Sequence, residues 1–460
     1  MKHPILCAAI AALLWLPVSA DIGGHDLLSI DNTDSYVASL LASPETKGKA
    51  IRNIRQLETA RSRVWNEWRQ RLLASIDTTK LPDVNHPLGS DTTAVWHIPA
   101  YLEPDARMLL RYGMKGNPGS GKLPLFIYLH GSGPRDQEWA TGLALARRFA
   151  DAPSLYIIPR IANTGEWYRW YQRGKQQAIE SWLRLAMARG IDPARIYIFG
   201  ISEGGYGSQR LASFYADYLA GAGPMAGGEP LRNAPPENLR NTAFSFLTGA
   251  ADNGFYRNRL TAITRNALDS LQALSPSDYT HRIELIEGKG HAIDYSSTTP
   301  WLAAHTRKAM PRRVSWENFD MDGRKRNAFH NLAVSEPAAL DNDSTPLRTR
   351  YELAIDSAAN AIDLKVDRVH YTVTETDPNW GIQLTFAKSY EPAREGKVRI
   401  YLSPELLDLS KPVALRVNGR ELGKRKVRMN EATLAESAQL FGDPLRLFPA
   451  SITIDLANLR

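Results

Sequence analysis

The pattern of apolar and polar residues divides the chain into stretches of different period. Between residues 44 and 76, apolar residues such as Ile54, Leu57 and Trp68 recur every three or four positions, with Arg, Glu and Gln between them. This period is typical of an amphipathic helix. We therefore expect an N-terminal helical segment over 21–93 that packs against a domain surface. A helix that binds a partner protein is the alternative.

The next stretch, residues 94–310, alternates short strand-like runs with segments of helical period. The runs Leu123–Leu129 and Leu155–Pro159 are almost continuously apolar, and a third run covers Arg195–Phe199. Such runs are expected of strands that are buried on both faces of a parallel sheet. The alternation of strand and helix predicts an α/β fold with a doubly wound, mostly parallel sheet.

Residues 311–460 have a third pattern, in which short alternating segments are separated by turn residues. Examples are Arg350–Ala354, Lys397–Tyr401 and Val413–Val417. This spacing predicts a C-terminal all-β sandwich. A chain of 460 residues is also too long for one compact core, so more than one domain is expected.

The first twenty residues differ from the rest of the chain. A short basic start is followed by an apolar run and by the small residues Val18, Ser19 and Ala20. This pattern predicts a secretory signal peptide over 1–20, cleaved before Asp21. We therefore expect an exported protein, periplasmic or secreted, with no membrane span after signal cleavage.

Two features of the composition restrict the chemistry. The only cysteine, Cys7, lies inside the predicted signal peptide, so the mature chain is expected to have no disulfide and no thiol chemistry. The formal net charge is +7, but Lys and Arg are dispersed, and the densest basic patch, 423–428, alternates like a strand face. This favours a solvated basic surface, and we predict no nucleic-acid partner.

The strongest chemical signal is the stretch from Gly200 to Gly204, with the sequence G-I-S-E-G. It follows a predicted strand and precedes a predicted helix, which is the setting of a nucleophile elbow. A turn this sharp leaves no room for side chains two residues before and after the serine. The pattern predicts that Ser202 is a nucleophile. The alternative is a glycine-rich turn with an incidental serine.

A serine nucleophile needs a base, and the base needs a carboxylate that orients it. In this kind of fold the chain order is serine, acid, histidine, with each residue at the end of a strand. Asp252 follows the predicted strand Ala243–Leu247, and His291 follows Arg282–Glu287. We therefore predict a Ser202–Asp252–His291 triad.

Other residues of the same types were weighed for these two roles. Asp294 lies only three residues from His291, and Glu287 is still in strand pattern. His281 precedes its strand, His305 lies on the following helix, and His97 precedes the sheet. Asp252 and His291 are favoured over all of them.

The oxyanion of an acyl-transfer intermediate needs two backbone donors. We expect one from Glu203, the residue after the nucleophile, and the other from Ser132 or Gly133, in the loop after Leu123–Leu129. That loop begins with His130-Gly-Ser-Gly, and His130 is expected to orient it. The side chain of Glu203 would crowd an anion, so we expect it to turn away, toward Arg160 or Arg169.

An aromatic cluster, Trp167, Tyr168, Trp170 and Tyr171, follows the strand Leu155–Pro159. Its position predicts that it lies on the catalytic edge of the sheet. Trp167 and Trp170 are candidates for stacking on a sugar or aryl group of a substrate, together with His130. A small core inside the loop is the equal alternative.

Taken together, these motifs resemble the α/β-hydrolase superfamily, and within it exported bacterial esterases of the dienelactone-hydrolase and polyhydroxybutyrate-depolymerase type. The resemblance covers about residues 95–310, and the tail resembles the β-domain that follows such cores. It implies a serine hydrolase without metal or cofactor that cleaves carboxylic esters, such as acyl or feruloyl esters of plant polysaccharide. A prolyl-oligopeptidase-like peptidase is the second interpretation. An inactive hydrolase core that binds glycan or acts as a scaffold is the third, and the oligomeric state is left open.

Overall fold

The computed structural model describes residues 35–42, 47–75, 86–104, 106–117, 119–338 and 348–459. The predicted signal peptide, 1–20, lies outside the described residues. None of the helices in the described ranges is both long enough and apolar enough to cross a membrane.

Two N-terminal helices precede the sheets, α1 (Ser35–Ala42) and α2 (Ile54–Ser75). The buried face of α2 carries Leu57, Val64 and Trp68, at the helical spacing of the sequence pattern. Both helices pack against a helix far along the chain, α8 (Glu431–Phe441), and share one apolar core with it. The N-terminal segment therefore packs largely on the C-terminal region.

The largest sheet has eight strands in the order β1-β2-β4-β3-β5-β6-β7-β8. β2 pairs antiparallel with β1 and β4, and the other neighbouring pairs are parallel. The strands are β1 (Ala94–His97), β2 (Arg107–Lys115), β3 (Leu125–Leu129), β4 (Ser154–Arg160), β5 (Ile196–Ile201), β6 (Gly221–Met225), β7 (Ala243–Gly249) and β8 (His281–Ile286). The helices that connect them or follow them are α3 (Arg135–Arg148), α4 (Arg173–Ala188), α5 (Glu203–Phe214), α6 (Arg257–Leu274) and α7 (Thr298–Ala303).

The central strand β3 shows why this sheet is apolar throughout. All five of its residues are buried. Leu125, Ile127 and Leu129 belong to one apolar core, which includes α4, and Phe126 and Tyr128 belong to the core on the opposite face, which includes α3. Helices cover both faces, so successive side chains of the strand are all apolar. The predicted doubly wound, mostly parallel sheet is confirmed.

The C-terminal region contains two further sheets. One has the order β10-β11-β15-β18, and the other has the order β17-β16-β13-β12-β9, with β14 paired to β13. Their strands are β9 (Arg313–Asn318), β10 (Ala328–Phe329), β11 (Leu332–Glu336), β12 (Arg348–Asp356), β13 (Ala361–Thr376), β14 (Gln383–Pro392), β15 (Lys397–Leu402), β16 (Val413–Val417), β17 (Arg420–Arg425) and β18 (Ala450–Asp455).

The helix α8 is an addition that the alternating pattern did not predict. The side chain of Asn430 caps its start by accepting the N–H of Thr433 at 2.9 Å, and Gly442 ends it in the left-handed region, with φ 56°.

The domain limits proposed from the sequence stay a prediction, because apolar contacts run without a break from the eight-stranded sheet into the C-terminal sheets.

A buried ion cluster lies where α5 and β6 meet the C-terminal region. Asp217 pairs with Arg326 and, at 2.5 Å, with Arg446. Asp443 pairs with Arg446 at 2.6 Å and with Arg307 at 2.9 Å. Four of these five side chains have no exposed surface, and Arg326 is 8% exposed.

Candidate active site

Ser202 lies in the sharp turn between β5 and α5. Its φ of 56° is in the left-handed region, where a residue with a Cβ atom is strained. A Cβ atom on Gly200 would lie 2.5 Å from the carbonyl oxygen of Leu129, and one on Gly204 would lie 1.9 Å from the same oxygen. Both glycines are therefore needed for the turn to approach β3 so closely.

The structure brings the three predicted triad side chains together. The Oγ atom of Ser202 lies 3.1 Å from Nε2 of His291, and Nδ1 of His291 lies 2.8 Å from Oδ2 of Asp252. The three residues come from the loops after β5, β7 and β8, at the carboxyl edge of the parallel sheet. Because a carboxylate faces Nδ1, the ring proton belongs there, which leaves Nε2 free to accept the Ser202 proton.

The competing residues lie elsewhere. His281 binds Asp269 at 2.9 Å, His305 binds the carbonyl oxygen of Trp301 at 2.8 Å, and His97 is exposed. The carboxylate of Asp294 accepts the N–H of Ser296. Glu287 is exposed at the end of β8.

Asp252 has a second partner that the sequence analysis missed. The Nε atom of Arg257 donates to both carboxylate oxygens at 2.9 Å, and its Nη2 atom lies 2.7 Å from Oδ1. Burial acts to raise the pKa of Asp252, but the hydrogen bonds and charges of Arg257 and His291 outweigh it, and the pKa is lowered. Asp252 therefore stays ionised while it orients His291. The only sequence signal was a basic residue five positions after the acid.

Hydrogen bonds from Tyr168 and Trp170 hold the loop that contains Ser132 and Gly133. The Tyr168 hydroxyl donates to the carbonyl oxygen of Gly131 at 2.8 Å, and the indole N–H of Trp170 donates to that of His130 at 2.9 Å. These bonds leave the backbone N–H groups of the loop free to point elsewhere. Helix α5 begins at Glu203, and the first N–H groups of a helix have no acceptor within it.

The structure corrects two of the predicted substrate contacts, because the side chains concerned are buried. Trp170 and His130 have no exposed surface, so their side chains cannot stack on a substrate. His130 instead holds the loop: its Nδ1–H donates to Gly131, and its Nε2 accepts the N–H of Ile161. Burial lowers the pKa of His130 to about 4, so it stays neutral. Trp167 is partly exposed, and its carbonyl oxygen accepts a hydrogen bond from Lys175.

Glu203 is a buried carboxyl beside Ser202. One carboxylate oxygen lies 3.5 Å from Nη1 of Arg169, and the other, Oε1, has no hydrogen-bond partner. Arg160 pairs with Asp136 instead. Burial raises the pKa of Glu203 to about 7, against the opposing charge of Arg169. Of the two expected partners, Arg169 is therefore the one that Glu203 approaches.

A cavity of about 560 Å³ opens beside Ser202. The α/β region contributes polar and aromatic side chains to its lining, including Ser132, Arg169, Glu203, Tyr206, Arg210, Asn233 and Phe255. A second part of the lining comes from the C-terminal region and contains Gly381, Ile382, Gln383 and Phe386. This second part was not predicted from the sequence, because these residues carry no local chemical signal and lie about 180 positions after Ser202.

No protein-family model matches this chain, and no curated protein matches it. Among solved structures it is similar to a thermostable esterase, with 19% identity over 46% of this chain and 62% of that chain, and a TM-score of 0.37. It is also similar to a carboxylesterase from Mesorhizobium loti (19% identity, 48% of this chain, 99% of that chain, TM-score 0.33) and to a fluorophosphonate-binding serine hydrolase from Staphylococcus aureus (15%, 45%, 96%, 0.31).

At these identities and TM-scores the likenesses carry no inference about activity. The fold rests on the molecule's own features, which are the eight-stranded order with antiparallel β2, the parallel strands β3 to β8 and the sharp turn after β5. These features give the core an α/β fold with a doubly wound, mostly parallel sheet. Within the described residues, no group of three His, Cys, Asp or Glu side chains is arranged to hold a metal ion.

Proposed function

We propose that this chain is an exported serine hydrolase that cleaves carboxylic esters through an acyl-enzyme. The observation that supports it best is the hydrogen-bonded chain from Ser202 through His291 to Asp252, at distances of 3.1 and 2.8 Å. Export is proposed from the signal-peptide pattern of residues 1–20.

In the proposed reaction, His291 accepts the proton of Ser202 through Nε2 while Oγ attacks the ester carbonyl carbon. The imidazolium that forms is stabilised by the carboxylate of Asp252, which hydrogen bonds from Arg257 hold in position. The carbonyl oxygen becomes an oxyanion, and the N–H groups of Glu203 and of the Ser132–Gly133 loop donate to it.

The intermediate then collapses. The bond from the carbonyl carbon to the alcohol oxygen breaks, and His291 gives its proton to the leaving alcohol. A water molecule attacks the acyl-enzyme in the same way, again with His291 as the base, and releases the acid and free Ser202. We propose acyl or feruloyl esters of plant polysaccharide as the substrate class.

Covalent labelling tests the nucleophile directly. The mature protein, incubated with a fluorophosphonate probe, should gain one label, and peptide mass spectrometry should place it on Ser202. Ser202→Ala is the blank. A wild-type protein that stays unlabelled but binds glycans would overturn the proposal in favour of a binding protein.

A matched pair of substrates tests the bond type. We expect 4-nitrophenyl acetate to be hydrolysed far faster than the 4-nitroanilide of the same acid, because an alkoxide or phenoxide leaves more readily than an amide nitrogen. A clear preference for peptide or anilide substrates would contradict ester hydrolysis and favour a peptidase.

A further inference from the structure

The hairpin formed by β13 and β14 reaches from the C-terminal sheet to the loop that carries Asp252. The hydroxyl of Tyr256 donates to the carboxylate of Asp377 at the tip of the hairpin. Arg259 forms two hydrogen bonds with Glu375, of 2.7 and 2.6 Å. The two parts are therefore joined next to the triad and not only through their cores.

The tip of this hairpin has a fixed shape. Asp377 is buried, and its carboxylate accepts the backbone N–H of Trp380, while its backbone carbonyl accepts the N–H of Gly381 at 3.0 Å. Such a side-chain bond to the backbone of the same turn is what stabilises a tight loop. The backbone at Trp380 is thus held in place by the side chain of Asp377.

Trp380 faces an aromatic ring from the catalytic region. Its ring centroid lies 4.9 Å from that of Phe255, and the planes are tilted by 55°. The two side chains remain 63% and 48% exposed, although both are large and apolar. Two rings that contact each other and still leave so much apolar surface in water can bind a further ring.

The backbone that presents Phe255 is strained. Phe255 and Tyr256 have φ values of 51° and 60°, in the left-handed region that residues with a Cβ atom seldom adopt. Two such residues in a row, three and four positions after Asp252, cost free energy, and strain of this kind is concentrated at functional sites. Here it directs Phe255 to the cavity and Tyr256 to Asp377.

We infer that Phe255, Trp380 and the hairpin tip form a carbohydrate subsite of the cavity, which binds the sugar ring carrying the ester. A pyranose has C–H faces that pack on aromatic rings and hydroxyl groups around its edge that need hydrogen-bond partners. The cavity offers both, since its lining includes Phe255, whose ring contacts Trp380 beside the cavity, and the amide side chains of Asn233 and Gln383. This inference rests on the proposed ester hydrolysis at Ser202.

Kinetics with and without a sugar test the subsite. Acetylated xylohexaose and ethyl acetate transfer the same acyl group, but only the first carries a ring. Trp380→Ala should raise KM for the acetylated xylohexaose about tenfold or more and leave kcat/KM for ethyl acetate within about twofold. Trp380→Phe should have a KM close to that of the wild type. Tyr101→Ala removes an exposed aromatic side chain outside the cavity and should leave the KM unchanged.

Three results would overturn the sugar subsite. The first is an equal change, or no change, for the two substrates in Trp380→Ala. The second is a larger loss on methyl ferulate than on the sugar ester, which would assign the rings to an aryl acid. The third is a wild-type enzyme that hydrolyses 4-nitrophenyl acetate but no acetylated sugar.

Calorimetry separates this inference from the proposed function. The inactive Ser202→Ala protein should bind acetylated xylohexaose, and adding Trp380→Ala should weaken binding about tenfold or more. Binding that ignores Trp380 would refute the subsite. If fluorophosphonate fails to label the wild-type protein, the hydrolase proposal fails, yet the titration still decides the subsite because it needs no turnover.

Discussion

The triad and the buried ion cluster use the same kinds of side chain for opposite purposes. At the triad, Asp252 is shared between Arg257 and His291, and the exposed fraction of the His291 side chain is 46%. In the cluster, Asp217 is shared between Arg326 and Arg446, and neither Asp217 nor Arg446 has exposed surface. One carboxylate faces a histidine that also contacts Ser202, and the other faces only arginines.

The difference teaches which feature distinguishes the proposed active site from a structural cluster. In the cluster, arginine charges outweigh burial and lower the pKa of Asp217, and the excess positive charge of Arg446 lies over the ring of Tyr218, 4.1 Å from its centroid. The charges of Arg307 and Arg446 lower the pKa of Asp443 in the same way. Even His330 beside it stays neutral, because burial lowers its pKa to about 3. At the triad, one partner is a half-exposed histidine beside an open cavity.

The largest expected effect is on catalysis at the triad. Ser202→Ala should lower kcat for 4-nitrophenyl acetate by about 10⁴-fold or more, because the attacking atom is lost. The urea midpoint of unfolding should stay close to that of the wild type. The matched control is Ser132→Ala, which keeps the backbone N–H proposed for the oxyanion and should keep most of the activity. A Ser202→Ala protein with substantial residual activity would break the comparison.

The next largest effect is on stability at the buried cluster. Asp217→Ala leaves the buried Arg326 without Asp217, and Arg446 keeps only Asp443, so the free energy of unfolding should fall by about 3–5 kcal/mol. Urea unfolding followed by tryptophan fluorescence measures this loss. A loss below about 1 kcal/mol would show that the cluster is no more important than a surface ion pair.

Glu203 lies between these two cases, since it is buried like Asp217 but adjoins the nucleophile. Its pKa of about 7 lies above the ordinary 4.5, so between these pH values the folded protein keeps a proton that the unfolded chain has lost. Its contribution to the free energy of unfolding is therefore full below about pH 4.5 and falls, by up to about 3 kcal/mol, as the pH rises to about 7.

Glu203→Gln isolates this contribution. The difference in unfolding free energy between wild type and variant should decline from pH 4.5 to 7 and stay level above it. Above pH 7 the ionised carboxylate lies beside the proposed oxyanion donors, so wild-type kcat/KM should fall about tenfold relative to the variant. Parallel pH profiles of the two proteins would contradict the raised pKa.

The smallest expected effect is at the exposed ion pair between Arg259 and Glu375, where the β13–β14 hairpin meets the α/β region. Arg259 and Glu375 are partly exposed, at 45% and 38%, so Arg259→Ala should lower the free energy of unfolding by less than about 1 kcal/mol. The same urea experiment measures it and serves as the exposed-pair control for Asp217→Ala. A loss as large as that of Asp217→Ala would mean that exposure does not separate the two kinds of ion pair.

The features that the sequence predicted are those with a local pattern. The doubly wound sheet follows from apolar runs such as Leu125–Leu129, since burial on both faces leaves no polar positions. The elbow follows from Gly200 and Gly204, whose missing side chains are a local steric requirement. The placement of Asp252 and His291 together follows from a rule of topology, because parallel strands end at one edge of the sheet.

The errors and omissions have one common cause. Trp170 occurs in a loop at the catalytic edge, yet it lies beneath the oxyanion loop and not on the cavity. Arg257 gave no sign of its pairing with Asp252, and α8 begins with an asparagine cap inside a stretch of β-strand pattern. Each depends on which partner a side chain meets in the folded chain, and the pattern of residue types does not record that.

The sequence by itself determined the nucleophile turn, the class of fold and the order of the three chemical groups, because each follows from the backbone geometry of a few consecutive residues. Only the tertiary structure decided which aromatic rings reach the cavity, how the hairpin tip of 377–382 completes its wall, and which carboxylates are saturated by arginines. Most of those outcomes depend on contacts between residues far apart in the chain, such as Phe255 with Trp380 and Asp217 with Arg326, and a linear pattern of residues carries no record of such contacts.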